Sequence, residues 1–421
     1  SLKDQVVIND WKLARVTPVY KGKGSFEDPS SYRPIASVGH LAKVLEKTVN
    51  DHLMSYLIKH QFISIDQFAY QKHNSTQTAV HRIVEDLLEA HNEGEYAICC
   101  FLDISKCYDT IHHGILFKKL EKYGIKDSEL NWIKSYVQNR SFKVNFNREL
   151  SKETSMNIGL PQGSTLGPTL FLLFTNDLSQ ALNEGNLNMY ADDAGLYVMD
   201  KNEKEAKRKM QVSLDMAAKW YKENRLQLNE NKCYIMLIGS KFKDIDCNFY
   251  LNDKVIQKVD SVTYLGLIFD NKLTFQEHAD YVVAKGKSKL SCLRKLAKIL
   301  PEETLCNIYQ TKIEPAIDYL GTVWGHTSST NSAKGQRTQN MAARIIKNNY
   351  DFINTRGLDL VYDLKWRDFQ QRQQYYNAVL TYKAIHGLVS QHLCNLILFE
   401  FETHNHETRG AINMDLAVPM V

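Results

Sequence analysis

The sequence predicts an α+β fold, on three observations. A short apolar run, Ala97-Ile98-Cys99-Cys100-Phe101-Leu102, ends in a single carboxylate, Asp103. Two mainly apolar runs, Leu187 to Met189 and Ala194 to Met199, flank Tyr190-Ala191-Asp192-Asp193. Around them lie stretches whose apolar residues recur every three or four positions. The first pattern reads as a buried central strand, the second as a hairpin with paired carboxylates at its tip, and the third as helices.

The elements follow in order. Trp11 to Tyr20 alternates as a strand does, and a Gly/Ser/Pro-rich loop runs from Gly22-Lys23-Gly24 through Pro29-Ser30-Ser31. Leu41, Val44, Leu45, Val49, Leu53 and Leu57 share helical spacing, as do residues from Thr76 to His91. After the Asp103 strand comes a helix from Gly114 to Tyr123. A second apolar helix, Thr165 to Leu182, is entered through Gly159-Leu160-Pro161-Gln162-Gly163-Ser164. Its stripe of Leu166, Leu170, Phe174, Leu178 and Leu182 has core-facing spacing. Beyond the hairpin, a charged helix (Glu203 to Asn224) leads to a strand (Tyr234 to Ile238) and a further hairpin (Phe249 to Phe269). From 271 onward the chain reads as mainly helical.

The totals exclude several classes. At 421 residues the chain can hold two or three domains. A net charge of +4, from 52 Lys+Arg against 48 Asp+Glu, is too small to diagnose a nucleic-acid binder, so the placement of charge must carry that argument. The 8 cysteines form no C-x-x-C pair, and His112-His113 and His404/His406 lack nearby cysteines, which argues against a zinc site and for free thiols in a reducing compartment. No apolar run approaches the length of a membrane span and no signal peptide opens the chain, so an intracellular, non-membrane protein is expected. The opening at Ser1 reads as mid-domain sequence, so a piece of a longer protein is expected.

An Asp-Asp pair at a turn is by itself ordinary turn chemistry. Asp103 changes that reading. A strand exit and a hairpin tip on adjacent strands would present three carboxylates at one sheet edge, a donor set suited to Mg²⁺ and phosphate. Two such ions can serve an in-line phosphoryl transfer. Lys285, Lys287, Lys289, Arg294, Lys295 and Lys298 follow with no acid between them, opposite Leu290, Leu293 and Leu300. A solvated helix face and a nucleic-acid surface both fit that run.

Seven motifs in order then resemble those of reverse transcriptases, within that family those of non-LTR (LINE-type) retrotransposons. They are Trp11-Lys12 with Tyr32-Arg33-Pro34-Ile35, Gln67-Phe68-Ala69-Tyr70 with Ser75-Thr76, Phe101 to Asp109, Gly159 to Ser164, Tyr190 to Asp193, Asn229 to Lys232, and Tyr264-Leu265-Gly266. The resemblance implies a right-hand polymerase, with fingers, an antiparallel palm sheet and a helical thumb. Residues 1–270 would form fingers and palm, 271–350 a thumb-like basic helical region, and 351–421 a tail without assigned chemistry.

It also implies roles. Asp103, Asp192 and Asp193 resemble the carboxylates that hold two Mg²⁺ ions (Mn²⁺ as substitute), with the Ile104 carbonyl as an extra ligand. Lys232 matches the lysine that protonates leaving pyrophosphate. Tyr108 stands at the steric gate against a ribose 2′-hydroxyl, and Gln162 opens the loop beside the incoming nucleotide. Arg33 and Lys21 are finger residues for the triphosphate, and Lys72 is the cation nearest a position where the family carries arginine and this chain has Gln71. Tyr264, Leu265 and Gly266 resemble the primer grip, and the basic run after 271 would track an RNA–DNA duplex by its backbone. The implied partners are an RNA template, a DNA primer and dNTPs, with the nucleus as the site of action. The sequence leaves the oligomeric state open.

Cys107-Tyr108 stands where Ala-Phe is common, and Ala194 where Thr is common. With Gln71 these departures fit a copy of weakened activity. Two further readings stay open: a catalytically silent RNA-binding fragment, and a two-metal nuclease or cyclase on a similar palm.

Overall fold

The computed structural model describes residues 1–239, 241–242, 247–325 and 327–397. Leu398 and Thr408-Arg409-Gly410 of the tail lie outside the described residues.

The central sheet has five strands, in the order Gln257–Lys258, Tyr234–Ile238, Tyr96–Leu102, Asp193–Asp200, Asn186–Tyr190. The apolar run before Asp103 is central in this sheet, antiparallel to both neighbours. Strand side chains alternate between faces. Ile98, Cys100 and Leu102 therefore enter one core, with Phe171, Leu196 and Trp220, while Ala97, Cys99 and Phe101 enter another, with Tyr264, Phe269 and Phe275. Burial on both faces explains why the run is apolar throughout rather than alternating.

A second sheet lies on the N-terminal side. Leu13–Tyr20 pairs antiparallel with Tyr32–Ser37 and parallel with Arg140–Phe146. The helix Thr76–Asn92 opens on a capping box: Ser75 Oγ accepts from the Thr78 N–H at 3.2 Å, and Thr78 Oγ1 from the Ser75 N–H at 2.9 Å. Helix Glu203–Glu223 is capped by Asn202, whose side chain accepts from Lys204 and Glu205.

Several expected elements differ. The first strand starts at Leu13, because Trp11 belongs to the 3-10 turn Asn9–Trp11. The helix expected from Thr165 to Leu182 is broken into Gly167–Thr175 and Leu178–Ala181. The break has a polar cause: Asn176 donates to Phe62 O at 2.7 Å and accepts from the Ser64 N–H at 2.8 Å, and Asp177 pairs with Lys119 at 2.6 Å. The span from Phe249 to Phe269 holds two hairpins rather than one, Tyr250–Leu251 with Lys254–Val255 and Ser261–Tyr264 with Leu267–Asp270.

Beyond 271 the described chain is helical, with Gln276–Leu296 and Ser329–Ile346 as its longest early members. The later helix Phe369–Ile385 is tied back by Arg372, whose Nε donates to Asp318 at 2.8 Å. Among the described residues no helix is long and apolar enough to cross a membrane.

Candidate active site

The register between Tyr96–Leu102 and Asp193–Asp200 builds the site. Leu102 pairs with Ala194, so the next residue of one strand, Asp103, emerges beside the first of the other, Asp193. Tyr190 pairs with Asp193, leaving Ala191-Asp192 as a two-residue turn. Ala191 sits at φ +57°, a left-handed conformation that costs a non-glycine residue roughly 1 kcal/mol.

That strained turn is held from behind. Gln67 is fully buried, and its Oε1 accepts the Ala191 N–H at 3.1 Å and the Ala69 N–H at 2.9 Å. The backbone agrees: Phe68 N donates to Met189 O at 2.8 Å and Met189 N to Asp66 O at 2.7 Å. The segment Asp66–Phe68 thus runs as a short extra pairing beside the hairpin.

Each carboxylate has its own surroundings. Asp103 is half-buried and lies 3.6 Å from the exposed Lys232 Nζ. Solvent screens such a pair, so it orients Lys232 more than it stabilises the fold. Lys232 is placed by a local pairing: Asn229 N donates to Asp103 O and Ser105 N to Gln227 O, both at 2.8 Å. These bonds flank Ile104 and leave its carbonyl oxygen outside the pair. Asp192 Oδ2 accepts from the Cys107 thiol at 3.4 Å. Burial, then the Asp192 and Asp103 charges, push the Asp193 carboxyl up to about 6, although its side-chain surface is exposed.

The donor set fits a hard divalent cation: three clustered carboxylates, one of which already resists ionisation beside the others. The rotamers are not yet those of a cage. Asp103 leans to Lys232 and Asp192 to Cys107, and among the described residues no three acidic, histidine or cysteine side chains converge closely enough to hold an ion.

A second part of the site is built on the turn Cys107–Asp109. Tyr108 stacks on the buried Phe171 ring at 4.8 Å, and its hydroxyl lies 3.1 Å from that of Tyr70. The Gly159–Ser164 loop is laced to this turn by Leu160 N donating to Tyr108 O at 2.7 Å. Gln162 reaches Asp109 through Nε2 at 3.4 Å, while its carbonyl accepts from Ala36 N at 2.6 Å, tying this loop to strand Tyr32–Ser37. Gly163, at φ +108°, runs so close to that strand that a Cβ would lie 2.5 Å from Ala36 O.

Arg33 and Lys72 are exposed, and neither has an ion-pair partner among the described residues. Lys21 donates to Ser30 O at 2.7 Å; burial raises the Asp109 carboxyl, and Lys106, the Gln162 amide and, least, Lys21 oppose that rise. Gln71 is turned inward, its amide donating to the Gln67 carbonyl.

Tyr264 is buried, its ring against Phe101 and Phe269 and its hydroxyl donating to Asn188 O at 2.8 Å. The side chain is therefore core, and only the two-residue turn Leu265-Gly266, left-handed at both positions, remains for surface contact. Tyr319 covers that turn, donating to Leu265 O at 2.8 Å.

In the basic run Lys285, Lys287, Arg294, Lys295 and Lys298 are exposed, while Leu290 and Leu293 are buried beneath them. Lys289 is half-buried and donates to Lys312 O. The acid-free stretch from Tyr319 to Tyr350 is less available: Lys334 pairs with Asp280 at 2.6 Å, Lys347 with Glu302 at 2.7 Å, and Arg344 donates to the Asp351 and Thr355 carbonyls.

The sequence gives no sign of the parts played by Gln67, Tyr70, Cys107 and Tyr319. Gln67 and Tyr70 lie in one motif, but nothing along the chain shows that their partners are 124 and 38 residues away.

The chain matches the reverse transcriptase (RNA-dependent DNA polymerase) family over residues 21–269, more than half its length. It is 28% identical over 391 residues to the probable RNA-directed DNA polymerase from transposon BS of Drosophila melanogaster, covering 88% of this chain and 42% of that one. It is 27% identical over 368 residues to the RNA-directed DNA polymerase from mobile element jockey of the same organism, covering 84% and 39%. The chain thus spans about two fifths of the length of these relatives. Among solved structures, telomerase from Candida tropicalis with a telomeric RNA fragment aligns at a TM-score of 0.44 and 11% identity, over 86% of this chain and 65% of that one.

Proposed function

Because the chain belongs to the reverse transcriptase (RNA-dependent DNA polymerase) family, we propose that it is the RNA-directed DNA polymerase of a non-LTR retrotransposon. It extends a DNA primer on an RNA template with dNTPs. The primer 3′-oxygen attacks the α-phosphorus of the nucleotide; one O–P bond forms, the bond to pyrophosphate breaks, and pyrophosphate leaves.

The observation that carries this reading is the Leu102–Ala194 register, which sets Asp103 beside Asp192-Asp193, with Lys232 at 3.6 Å from Asp103. Asp103, Asp192 and Asp193 hold divalent cations, Mg²⁺ first, with the Ile104 carbonyl beside them. When bound, such ions make the attacking hydroxyl more acidic and balance charge on the leaving group. Lys232 is free to turn from Asp103 and give its proton to pyrophosphate. Tyr108 closes the sugar side of the pocket, Gln162 braces it, and Arg33, Lys21 and Lys72 meet the triphosphate. The exposed cations from Lys285 to Lys298 follow the duplex backbone as a thumb does, and Leu265-Gly266 meets the primer. Copying onto chromosomal DNA makes the nucleus the place of action.

Gln71 favours a second reading, a slow polymerase: where the family carries arginine, this amide is bonded inward to Gln67 and offers the triphosphate no charge.

Primer extension on an RNA template with Mg²⁺ tests the proposal. The parent should add dNTPs and Asp192→Asn should not. Equal extension by both, or none by the parent, removes the polymerase reading.

A further inference from the structure

On the polymerase reading, we propose that Tyr70 is a positioning residue for sugar selection: its hydroxyl fixes the Tyr108 ring across the nucleotide site and so strengthens the exclusion of ribonucleotides.

Two contacts determine where the Tyr108 ring stands. One is its stack on Phe171, whose ring is fully buried in helix Gly167–Thr175 and cannot yield. A near-parallel stack, here 17° between planes, limits tilt but lets one ring slide over the other. The second contact removes that freedom. The Tyr70 and Tyr108 hydroxyls lie 3.1 Å apart, so any slide of the Tyr108 ring breaks a hydrogen bond.

Tyr70 can act as a fixed post because its backbone is pinned although its side chain is exposed. Ala69 before it is fully buried and bonded to the Gln67 side chain, and Gln71 after it bonds to the Gln67 carbonyl. Tyr70 itself is left-handed at φ +56°, and from there its hydroxyl reaches that of Tyr108. The bond therefore crosses from fingers to palm. A phenylalanine at 108 would keep the stack and lose the bond, so the second contact depends on both tyrosines.

A ribose 2′-hydroxyl can enter only if the ring gives way. With the bond intact, that displacement costs the bond as well as the stack; a deoxyribose requires no displacement. The hydroxyl pair thus acts on the competing sugar more than on the proper one.

The test is single-nucleotide extension on an RNA template, comparing kcat/KM for a dNTP and the matching rNTP. The variants are Tyr70→Phe, Tyr108→Phe and the double. Each single change should lower discrimination roughly three- to ten-fold, the worth of one hydrogen bond. The double should fall no further, because one bond is removed only once. The loss should appear as a gain in rNTP kcat/KM, whereas a damaged fold would depress both sugars. A parental ratio in Tyr70→Phe, or a double equal to the product of the singles, overturns the assignment alone. A parent that extends with neither sugar overturns the polymerase reading and the assignment with it.

Discussion

Gln67 and Ala191 are joined side chain to backbone: the buried Oε1 accepts the Ala191 N–H at 3.1 Å, at the left-handed residue just before Asp192. The same oxygen accepts from Ala69, so one amide supports both the fingers segment and the carboxylate turn.

Gln67→Ala should therefore leave two N–H groups without their acceptor. The expected cost is about 2–3 kcal/mol of stability, from unpaired buried donors. Divalent-cation binding should weaken as well, because the turn is no longer held. Chemical denaturation and metal titration check the two effects separately; a variant as stable as the parent would show that water replaces the amide.

Asp193 gives a stability profile with a definite sign. Its folded-state carboxyl titrates near 6 against an ordinary 3.8, so between these values the folded chain holds more protons than the unfolded one. In the absence of divalent cations this group makes stability fall as pH rises through that window. Asp193→Asn should flatten that component, and added Mg²⁺ should restore stability to the parent above pH 6. Thermal midpoints of parent and variant, with and without Mg²⁺, measure the difference.

His278 gives the opposite slope. It is fully buried at the start of helix Gln276–Leu296, its Nδ1 accepts from the Ile268 N–H at 3.3 Å, and its Nε2 has no hydrogen-bond partner among the described residues. Burial, then the Lys285 charge, lower it from 6.5 to about 4. The unfolded chain takes up a proton first, so stability is present above 6.5 and is lost as pH falls toward 4. The loss should reach about 3 kcal/mol, at 1.36 kcal/mol per unit. His278→Asn, which keeps an acceptor near Ile268, should remove this part of the acid sensitivity; denaturant midpoints at pH 7, 5.5 and 4 test it.

The palm was legible because its signals are local. Seven apolar residues ending in Asp103, and a hairpin with two acids at its tip, state strand, exit and turn without knowledge of partners. Helix Thr76–Asn92 is legible by its period and Glu203–Glu223 as a charged helix, while the caps that open them appear only in the structure. The break at Asn176 was hidden, since the leucine stripe runs through it and the bonds that interrupt the helix go to residues 62 and 64. Helix Asp127–Val137 and strand Arg140–Phe146 were hidden too, the strand because its parallel partner Leu13–Tyr20 lies far back in the chain. In the site, residue types were readable and couplings were not. Tyr264 resembles a primer-grip residue by sequence, yet its ring is core; Cys107 reads only as one of the free thiols, yet it touches Asp192.

The two-sided strand Tyr96–Leu102 bears on how this protein can be subdivided. Cys99 and Phe101, with Tyr197 and Met236 from neighbouring strands, share a core with Val80, Ile83 and Val84 of helix Thr76–Asn92 and with Phe269, whose other side meets Phe275. A fragment cut after residue 269, where the family match ends, would keep that helix but turn the greasy Phe269 side of this core toward water, because Phe275 and helix Gln276–Leu296 cover it. Such a piece should precipitate or be cleared by proteolysis rather than persist as a small polymerase. A chain truncated at that boundary would be lost to quality control before losing any carboxylate.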